Sequence, residues 1–537
     1  MGRKTLLVSG IRLSPDETPE NAYTRAATFL RRHGVLADNP LHYEYQIARR
    51  AVDARRRQDV HFVCTVSVSG LFREGGVLPT GATVLDEEMP KPERGTAPLA
   101  HRPLVVGSGP AGLFAALMLA EYGYRPLLIE RGGDVLQRAE AIRKFYSTRV
   151  LDTETNVQFG AGGAGTFSDG KLLTRVSDAF NRYVLEQFVT FGAPGEILWQ
   201  ARPHIGTDYL CRVVSNMIDR ITALGGEVEF NTRLDGIFLQ NGRIVGYTAN
   251  GLDAPCDAMI LAIGHSARDT YRMLLKHPLA IEAKPFSVGM RIEHLQEDID
   301  RALYGNFAGH PALPHAEYAF SAHRGERGVY TFCMCPGGEV MAATSTEGGV
   351  VVNGMSEHAR SGLNANAALA VSVLPTDFGN TPEGAIQYQE KIEKAAFLAG
   401  GGGYTAPGCT VGDFLKGSYG TLPSRVLPTY MGGNDAWRPT DPDLYLPSYV
   451  TSLLREGITD FSRRAEGFDA KDAILTGPET RTSAPLRILR NKNRQAVGCA
   501  GLYPTGEGAG YAGGITSAAL DGLRTAMALI EANAPSV

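Results

Sequence analysis

Residues 104–130 read LVVGSGPAGLFAALMLAEYGYRPLLIE, and this stretch decides the fold. Its apolar start predicts a buried strand, the glycines after it predict a tight turn, and residues 113–122 predict a helix packed on the sheet. Gly107 permits the turn, Gly109 lets a pyrophosphate approach bare backbone, and Gly112 lets helix and strand touch. The unpaired N–H groups and the dipole at the helix N-terminus favour an anion there.

Glu130 closes this unit at the end of a second predicted strand, about 20 residues beyond the glycines, as in a dinucleotide-binding fingerprint. A carboxylate at that point is placed to accept hydrogen bonds from a ribose diol. Strand, turn, helix and acid agree with one another. The stretch therefore predicts dinucleotide binding rather than an ordinary Gly-rich turn.

A second Gly-rich motif occupies residues 501–522, which read GLYPTGEGAGYAGGITSAALDG. The pattern predicts a strand, then Gly506 and Glu507, a glycine loop, and a helix that begins near Gly513 or Gly514. A carboxylate at a strand end can hold ribityl hydroxyls, and the helix N-terminus directs free N–H groups at an electron-rich ring edge. Two such motifs predict a long cofactor that lies across the sheet, and FAD has that length.

Residues 156–172 read NVQFGAGGAGTFSDGKL and carry five glycines between positions 160 and 170. This density is incompatible with a stable helix or strand and is typical of a loop wrapped round a ligand. The apolar and amide side chains between the glycines argue against a flexible linker. Ser168, Asp169 and Lys171 place a hydroxyl, a carboxylate and an ammonium beside the loop.

The length of 537 residues predicts more than one domain. Residues 1–95 indicate a small α+β domain, with strands at 4–8 and 60–68 and helices at 18–33 and 43–57, followed by a Pro-rich linker at 89–98. The predicted fold is α/β: a Rossmann-type FAD-binding domain with an inserted antiparallel-β substrate domain and this small N-terminal domain. The expected boundaries are 1–95, 96–280 for the first part of the FAD-binding domain, 281–410 for the insertion, and 411–537 for its return.

The overall composition limits the choice of partners and compartment. The net charge of −4 gives no general reason to bind nucleic acid or an anionic membrane. The seven cysteines show neither a disulfide framework nor zinc spacing, so reduced thiols and no metal are expected. No signal peptide or transmembrane span is predicted, which favours a cytoplasmic enzyme that acts on a small molecule.

Taken together, the motifs resemble the bacterial FAD-dependent dehydrogenases that have an extra N-terminal α+β domain, within the glutathione-reductase-like flavoproteins. The resemblance covers nearly the whole chain and rests on residues 53–57, 107–112, 159–172, 203–208, 333–338 and 506–514. It implies that Gly107, Gly109, Gly112 and Glu130 bind the ADP half of FAD, with Gly506, Glu507, Gly514 and Ile515 near the ribityl chain and isoalloxazine. Two features of that group are missing, namely a second complete GxGxxG and a CxxC pair after the first nucleotide motif.

The predicted activity is hydride transfer between flavin N5 and a small organic substrate, with NAD(P)H as a candidate electron donor. His204 and His265 are the candidate acid/base residues, and Lys171, Arg481 or Arg291 are candidates to hold an anionic substrate. Cys333 and Cys335 would be redox-active if they face the flavin. The full set of candidate cofactor contacts is Gly107, Gly109, Pro110, Ala111, Gly112, Glu130, Arg131, Gly162, Gly163, Gly165, Thr166, Gly264, Gly506, Glu507, Gly514 and Ile515.

Two alternatives stay open from the sequence. The basic run Arg49, Arg50 and Arg55–Arg57, expected on the helix at 43–57, would suit a flavin-containing protein that binds or modifies RNA. A protein that binds NADP without flavin would instead use Arg131 for the 2′-phosphate. The identity of the substrate, the direction of electron flow and the oligomeric state do not follow from the sequence.

Overall fold

The computed structural model describes residues 3–36, 43–72, 77–85, 90–174, 176 and 178–536. Met89, the first residue of the expected linker, lies outside these ranges. The helices within them are α1 (Pro19–Arg32), α2 (Pro110–Glu121), α3 (Val135–Thr148), α4 (Asn181–Thr190), α5 (Thr207–Ala223), α6 (Arg268–Leu274), α7 (Gln296–Tyr304), α8 (Pro382–Ala399), α9 (Val411–Lys416), α10 (Ser448–Ser462) and α11 (Ile515–Ala532).

The strands in the same ranges are β1 (Arg3–Leu13), β2 (Glu44–Asp53), β3 (His61–Leu71), β4 (Ala82–Val84), β5 (Ala97–Pro98), β6 (Leu104–Val106), β7 (Leu127–Ile129), β8 (Glu227–Glu229), β9 (Leu234–Gln240), β10 (Arg243–Ala249), β11 (Leu252–Pro255), β12 (Met259–Leu261), β13 (Ile281–Ala283), β14 (Phe286–Leu295), β15 (Ser321–Arg324), β16 (Arg327–Cys335), β17 (Glu339–Ala342), β18 (Val352–Met355), β19 (Asn364–Val373), β20 (Ala406–Thr410), β21 (Trp437–Pro439), β22 (Ile474–Glu479), β23 (Leu486–Ile488), β24 (Leu502–Pro504) and β25 (Asn533–Ala534). Helices and sheets are mixed throughout the chain, so the predicted α/β class is confirmed.

A parallel five-stranded sheet in the order β24-β12-β6-β7-β8 carries both Gly-rich motifs. Its central strands are buried on both faces, as the apolar runs predict. Helix α2 is apolar on all sides because it lies between the sheet, α5 and α11, and these elements share one core. Because β24 is separated from β6 only by β12, the two motifs leave the same carboxyl edge of the sheet. Such an edge is where α/β sheets bind ligands.

A second, seven-stranded sheet has the order β15-β16-β19-β14-β22-β20-β21 and is antiparallel except for the β20–β21 pair. Its strands supply the largest core of the molecule, with α10 packed on one face. The sheet continues beyond residue 410, the expected end of the insertion, because β21 and β22 belong to it.

The first described residues form an antiparallel sheet, β2-β3-β1-β4, with α1 packed against it. The helix predicted over residues 43–57 is wrong, because residues 44–53 of this segment form strand β2, paired with β3. Tyr43, Tyr45 and Ile47 alternate toward the core with a period of two, and a register shift between Ile47 and Arg49 disturbs the alternation that would have identified the strand. Within the described ranges, no helix is both long and apolar enough to cross a membrane.

Candidate active site

The three glycines after β6 meet three different environments. Gly107 has φ +97°, and a Cβ there would lie 2.4 Å from the carbonyl oxygen of Ala262. A Cβ on Gly112 would lie 1.8 Å from the Gly107 carbonyl oxygen, so α2 can approach its strand only with glycine at this position. Gly109 differs from both, since its Cβ would meet only the Gly163 Cα, at 3.9 Å. Its bare backbone faces open space.

Glu130 is buried at the end of β7, and its carboxylate is fully engaged by the chain. Oε2 accepts hydrogen bonds from the backbone N–H and the hydroxyl of Ser108, at 2.9 and 2.8 Å. Oε1 accepts from the N–H groups of Gly132 and Gly160, both at 3.0 Å. Four donors match the acceptor capacity of a carboxylate. Glu130 therefore ties three loops together at the cavity wall.

Arg131 is not free to bind a phosphate. Its guanidinium forms paired hydrogen bonds with Glu154 and with Asp269, all between 2.9 and 3.1 Å. It also lies over the ring of Phe159, 4.2 Å from the centroid. Two carboxylates already neutralise this side chain, which removes the basis for a 2′-phosphate site.

Arg138 on α3 holds the Gly-rich loop in place, a role that was not predicted from the sequence. Its fully buried guanidinium donates to the carbonyl oxygens of Asn156, Val157 and Ala161 at 2.7–2.8 Å. Burial lowers the pKa of Arg138 to about 10, and the negative charge of nearby Glu130 partly offsets this decrease. Its placement in a charged amphipathic helix gave no sequence signal of this role. The loop is thus rigidly supported from behind, as a ligand-binding loop requires.

The second motif follows β24. The Gly506 N–H donates to Asp521 on α11 at 2.8 Å, which fixes the turn. Glu507 faces the cavity and is half-buried, and the loss of solvation there raises the pKa of Glu507 to about 7 although Lys284 opposes the shift. Helix α11 begins at Ile515, and Cβ atoms on Gly513 and Gly514 would meet nothing within 4 Å.

One cavity of about 400 Å³ joins both motifs. Of the predicted residues, its walls include Gly107, Gly109, Pro110, Ala111, Glu130, Arg131, Gly163, Gly165, Lys171, Gly264, His265, Arg481, Glu507, Gly514 and Ile515. Gly112, Gly162, Thr166, Gly506 and His204 lie outside its lining. Thr166 is buried behind the loop and Gly162 packs on Thr166 and Val214, so these two residues shape the loop.

His265 lies beside Ser266 in the cavity wall. Ser266 Oγ lies 2.9 Å from His265 Nδ1 and donates to Gln158 Oε1 at 3.1 Å. Burial, and then the positive charges of Arg481 and Arg268, lower the pKa of His265 to about 3. The ring is therefore neutral near pH 7.

His204, the other acid/base candidate, lies behind the loop and not in the cavity. Its Nε2 lies 3.1 Å from the His358 carbonyl oxygen, and the two imidazole rings stack with centroids 5.2 Å apart. Burial, and then Arg360, lower the pKa of His204 to about 4. It pairs through the backbone with Lys171, so it supports a cavity residue from outside.

The three candidate cations have different surroundings. Lys171 lines the cavity with its Nζ 2.6 Å from Asp169 and 3.8 Å from Glu317. Burial acts to lower the pKa of Lys171, but these two carboxylates outweigh burial and raise it. Arg291 is fully buried against Glu479 at 2.8 and 2.9 Å and does not line the cavity. It is therefore no candidate for direct contact with a substrate.

Arg481 lines the cavity and shares the buried Glu393 with Arg268. The Glu393 carboxylate accepts from Arg268 at 2.7 Å and from Arg481 at 3.0 Å. Two guanidinium groups thus face one carboxylate in this buried triad. Asn353 and Glu479 also line the same end of the cavity, and the sequence gave no signal that singled them out.

Two arginines of the basic run near residue 50 have partners within the protein. The Arg50 guanidinium lies between Phe62 and Trp199, 4.8 and 4.5 Å from the ring centroids. Arg55 is paired with Asp53. Since these arginines lie on and beside a strand rather than along one exposed helix, the RNA-binding alternative has no support here.

The donor set fits FAD. At four glycines of the cavity wall, an added Cβ would meet no atom closer than 3.9 Å, so the backbone there is open to a ligand: Gly109, Gly264, Gly513 and Gly514. Helices α2 and α11 direct their N-termini at the same cavity. These are the features that a diphosphate and an electron-rich ring edge require.

Comparisons with known proteins agree. Residues 102–144 match the family model "FAD binding domain", and residues 285–482 match "FAD-dependent protein, C-terminal domain-like". A protein of Clostridium beijerinckii described as "Uncharacterized protein" is 46% identical over 494 residues, which cover 90% of this chain and 92% of the relative.

Among solved structures, a geranylgeranyl bacteriochlorophyll reductase-like protein of Thermoplasma acidophilum is 12% identical over 80% of this chain and 78% of its own, with a TM-score of 0.33. The tetracycline destructase Tet(51) is 12% identical over 78% of both chains, with a TM-score of 0.32. At these TM-scores neither similarity carries a functional argument.

Proposed function

The chain belongs to the bacterial family of FAD-dependent oxidoreductases, and from this premise we propose that it catalyses hydride transfer to or from a small organic anion. FAD, the cofactor of the family, supplies the two-electron chemistry at flavin N5 when bound. The NADP-only alternative is wrong, because the family is flavin-dependent. One observation supports the proposal most directly: a single cavity runs from the first nucleotide motif to a polar end with Lys171, His265 and Arg481.

We assign the ADP half to the end of the cavity formed by α2. The N–H groups at the start of α2 face the open space beside Gly109, where a pyrophosphate can approach the backbone closely. Glu130 meets the ribose, and the Ser108 hydroxyl is the one of its four donors that can rotate away to admit a ribose hydroxyl. The three backbone donors keep the carboxylate in place.

We assign the ring end to α11. Gly514 and Ile515, at the start of this helix, direct backbone N–H groups at the position where negative charge develops on reduction. Glu507 lies between this point and the first motif and is placed to hold ribityl hydroxyls.

Arg481, which with Arg268 faces a single carboxylate, supplies net positive charge for the substrate. Lys171 supplies N–H donors, although Asp169 and Glu317 balance its charge. Both face the cavity, and each is held in place by a buried carboxylate, Asp169 and Glu393 respectively. Their fixed positions suit recognition of a carboxylate or a similar anion. His265 contributes a neutral imidazole beside them.

The domain roles also belong to this proposal. Residues 1–95 are a separate α+β unit, and residues 96–280 with the last segment of the chain form the FAD-binding domain. The substrate domain begins near residue 281. The continuous sheet to β22 and the family match over 285–482 support extending it to about residue 482 instead of 410.

The test is an absorbance spectrum of the purified protein, followed by anaerobic additions of NADH and NADPH. Bleaching of the flavin band by either nucleotide would identify a nicotinamide donor, and no bleaching would indicate a substrate-fed dehydrogenase. A protein that carries no flavin after reconstitution with FAD would overturn the proposal.

The anion site has its own test. The holoenzyme is titrated with small carboxylates while the flavin spectrum is followed. We expect K171Q to weaken the spectral response at least about tenfold, because a charge-assisted hydrogen bond contributes about 1.5–3 kcal/mol. The exposed Lys276 provides the matched control K276Q, which should respond like the parent. Equal affinities in all three proteins would exclude Lys171 from the anion site.

A further inference from the structure

Cys333 and Cys335 lie at the ring end of the cavity on a distorted part of β16. Cys333 lines the cavity, and Cys335 lies fully buried behind it. The pairing of β16 with β19 shifts register between Phe332 and Cys335, and Cys333 has φ +47°. Positive φ is costly for a residue with a side chain and tends to occur at functional sites.

This distortion brings the two thiols together. In a regular strand, alternate Cα atoms lie about 6.6 Å apart, close to the upper limit of about 6.8 Å for a disulfide. The bulge and the positive φ bend the strand, and the Cys335 thiol turns back to lie 3.3 Å from the Cys333 carbonyl oxygen. The two side chains are also hydrogen-bond partners, so the thiols are neighbours at this bend.

Charged groups around the pair favour a thiolate. The buried Arg291 guanidinium lies 3.9 Å from the Cys335 sulfur and 3.1 Å from the Cys333 carbonyl oxygen. A hydrogen bond from Cys335, opposed by burial and aided by Arg291 and Lys171, lowers the pKa of Cys333 to about 7. The same contact and burial raise the pKa of Cys335. The cavity-facing sulfur is thus the nucleophilic one.

We propose that Cys333 and Cys335 form a dithiol–disulfide centre that exchanges two electrons with the flavin. Starting from the fully protonated dithiol, both S–H bonds break on oxidation and one S–S bond forms. Two electrons and one proton pass to the oxidised isoalloxazine ring, and the second proton passes to water. The inference rests on the proposed placement of the ring at this end of the cavity, and it adds a second two-electron carrier to the proposed function.

The test counts electrons per bound flavin by anaerobic titration of air-oxidised holoenzyme with dithionite. We expect about four electrons per flavin in the parent, two for the ring and two for the disulfide, and about two in C333S and C335S. C211S is the matched control, because Cys211 is also partly exposed but lies on α5 outside the cavity lining. It should still take up about four. Absence of flavin would refute the proposed function, whereas about two electrons per flavin in the parent would overturn this inference alone.

Two further readouts do not depend on the titration. Without reducing agent, mass spectrometry of the alkylated parent should find the peptide with residues 333 and 335 unalkylated and two hydrogens lighter. In C335A, which has no side-chain donor at this position, the remaining thiolate should give a long-wavelength charge-transfer absorbance whose apparent pKa lies above 7, because the hydrogen bond from Cys335 is lost. Full alkylation of both cysteines in air-oxidised protein would contradict the proposal.

Discussion

Replacing Gly109 with alanine tests the pyrophosphate site without disturbing the fold. Gly109 has φ −68° and ψ 178°, which any residue adopts, and its Cβ would make only an ordinary 3.9 Å contact with Gly163. The added methyl group would instead occupy the space where the diphosphate approaches the backbone. Loss of one charge-assisted hydrogen bond costs about 1.5–3 kcal/mol, or roughly 10- to 150-fold in the Kd for FAD.

The assay is calorimetric titration of the apoprotein with FAD, together with thermal unfolding in the absence of FAD. The unfolding temperature of the G109A apoprotein should equal or slightly exceed that of the parent, because alanine restricts the unfolded chain. Gly195, whose Cβ would meet no atom within 4 Å, gives the matched control G195A, and it lies outside the cavity. If G109A bound FAD within about threefold of the parent, the diphosphate would not lie against this residue.

Four other substitutions, one of them with a matched control, test the site and its supports. G513A, whose Cβ meets no atom within 4 Å, should likewise fold normally but bind FAD more weakly in the same titration. G112A should lower the thermal unfolding temperature even of the apoprotein, because its Cβ would lie 1.8 Å from a backbone oxygen. E393Q should lower the free energy of unfolding by about 3–5 kcal/mol at pH 7, since it leaves two buried guanidinium groups without their carboxylate. The control E390Q, on the same helix but in a partly exposed ion pair, should cost less than about 1 kcal/mol. Urea unfolding measures both. Burial lowers the pKa of His204 from 6.5 to about 4. The buried neutral ring therefore stabilises the fold above pH 6.5, and this stabilisation is lost as the pH falls toward 4. The free energy of unfolding should fall by about 2 kcal/mol more in the parent than in H204Q between pH 7 and pH 5.

Much of the nucleotide-binding half was predictable because its constraints are local in the sequence. The distinct roles predicted for Gly107 and Gly112 agree with their surroundings, since both are dictated by backbone within one strand–turn–helix unit. The second motif and its helix likewise begin where the glycines indicate. A glycine that is required by a close backbone contact is visible in the local sequence motif, so its role could be predicted without knowledge of the rest of the chain.

The helix wrongly predicted over residues 43–57 shows how this approach fails. Residues 43–47 alternate in the manner of a strand, but the register shift that follows breaks the alternation, and the arginines after it suggest a solvated helical face. Hydrogen bonding to β3 determines that this segment forms a strand. Pairing between separate strands cannot be recognised from the sequence of one segment alone. Tertiary context overrides the local pattern there.

The parts of the site that stayed hidden all depend on contacts between distant segments. Arg138 is an ordinary arginine in an amphipathic helix until residues 156–161 fold over it. Glu393 lies on α8, far from Arg268 and Arg481 in sequence, yet its carboxylate fixes both guanidinium groups. No spacing rule connects such residues. Their roles follow only from tertiary contacts, of α3 with the Gly-rich loop for Arg138 and of α8 with Arg268 and Arg481 for Glu393.

His265 illustrates the difference between finding a residue and knowing its role. Its position after a buried strand made it a candidate acid/base, and it does face the cavity. Gln158 donates through Nε2 to the Ala343 carbonyl, so its Oε1 must accept the single Ser266 proton. The Ser266 oxygen can then only accept from His265 Nδ1–H, which leaves Nε2 as the bare nitrogen. With a pKa of about 3, this nitrogen is too weak a base to hold a proton near pH 7. It is suited to accept a hydrogen bond from an O–H or N–H group of the substrate and so to orient the molecule for hydride transfer.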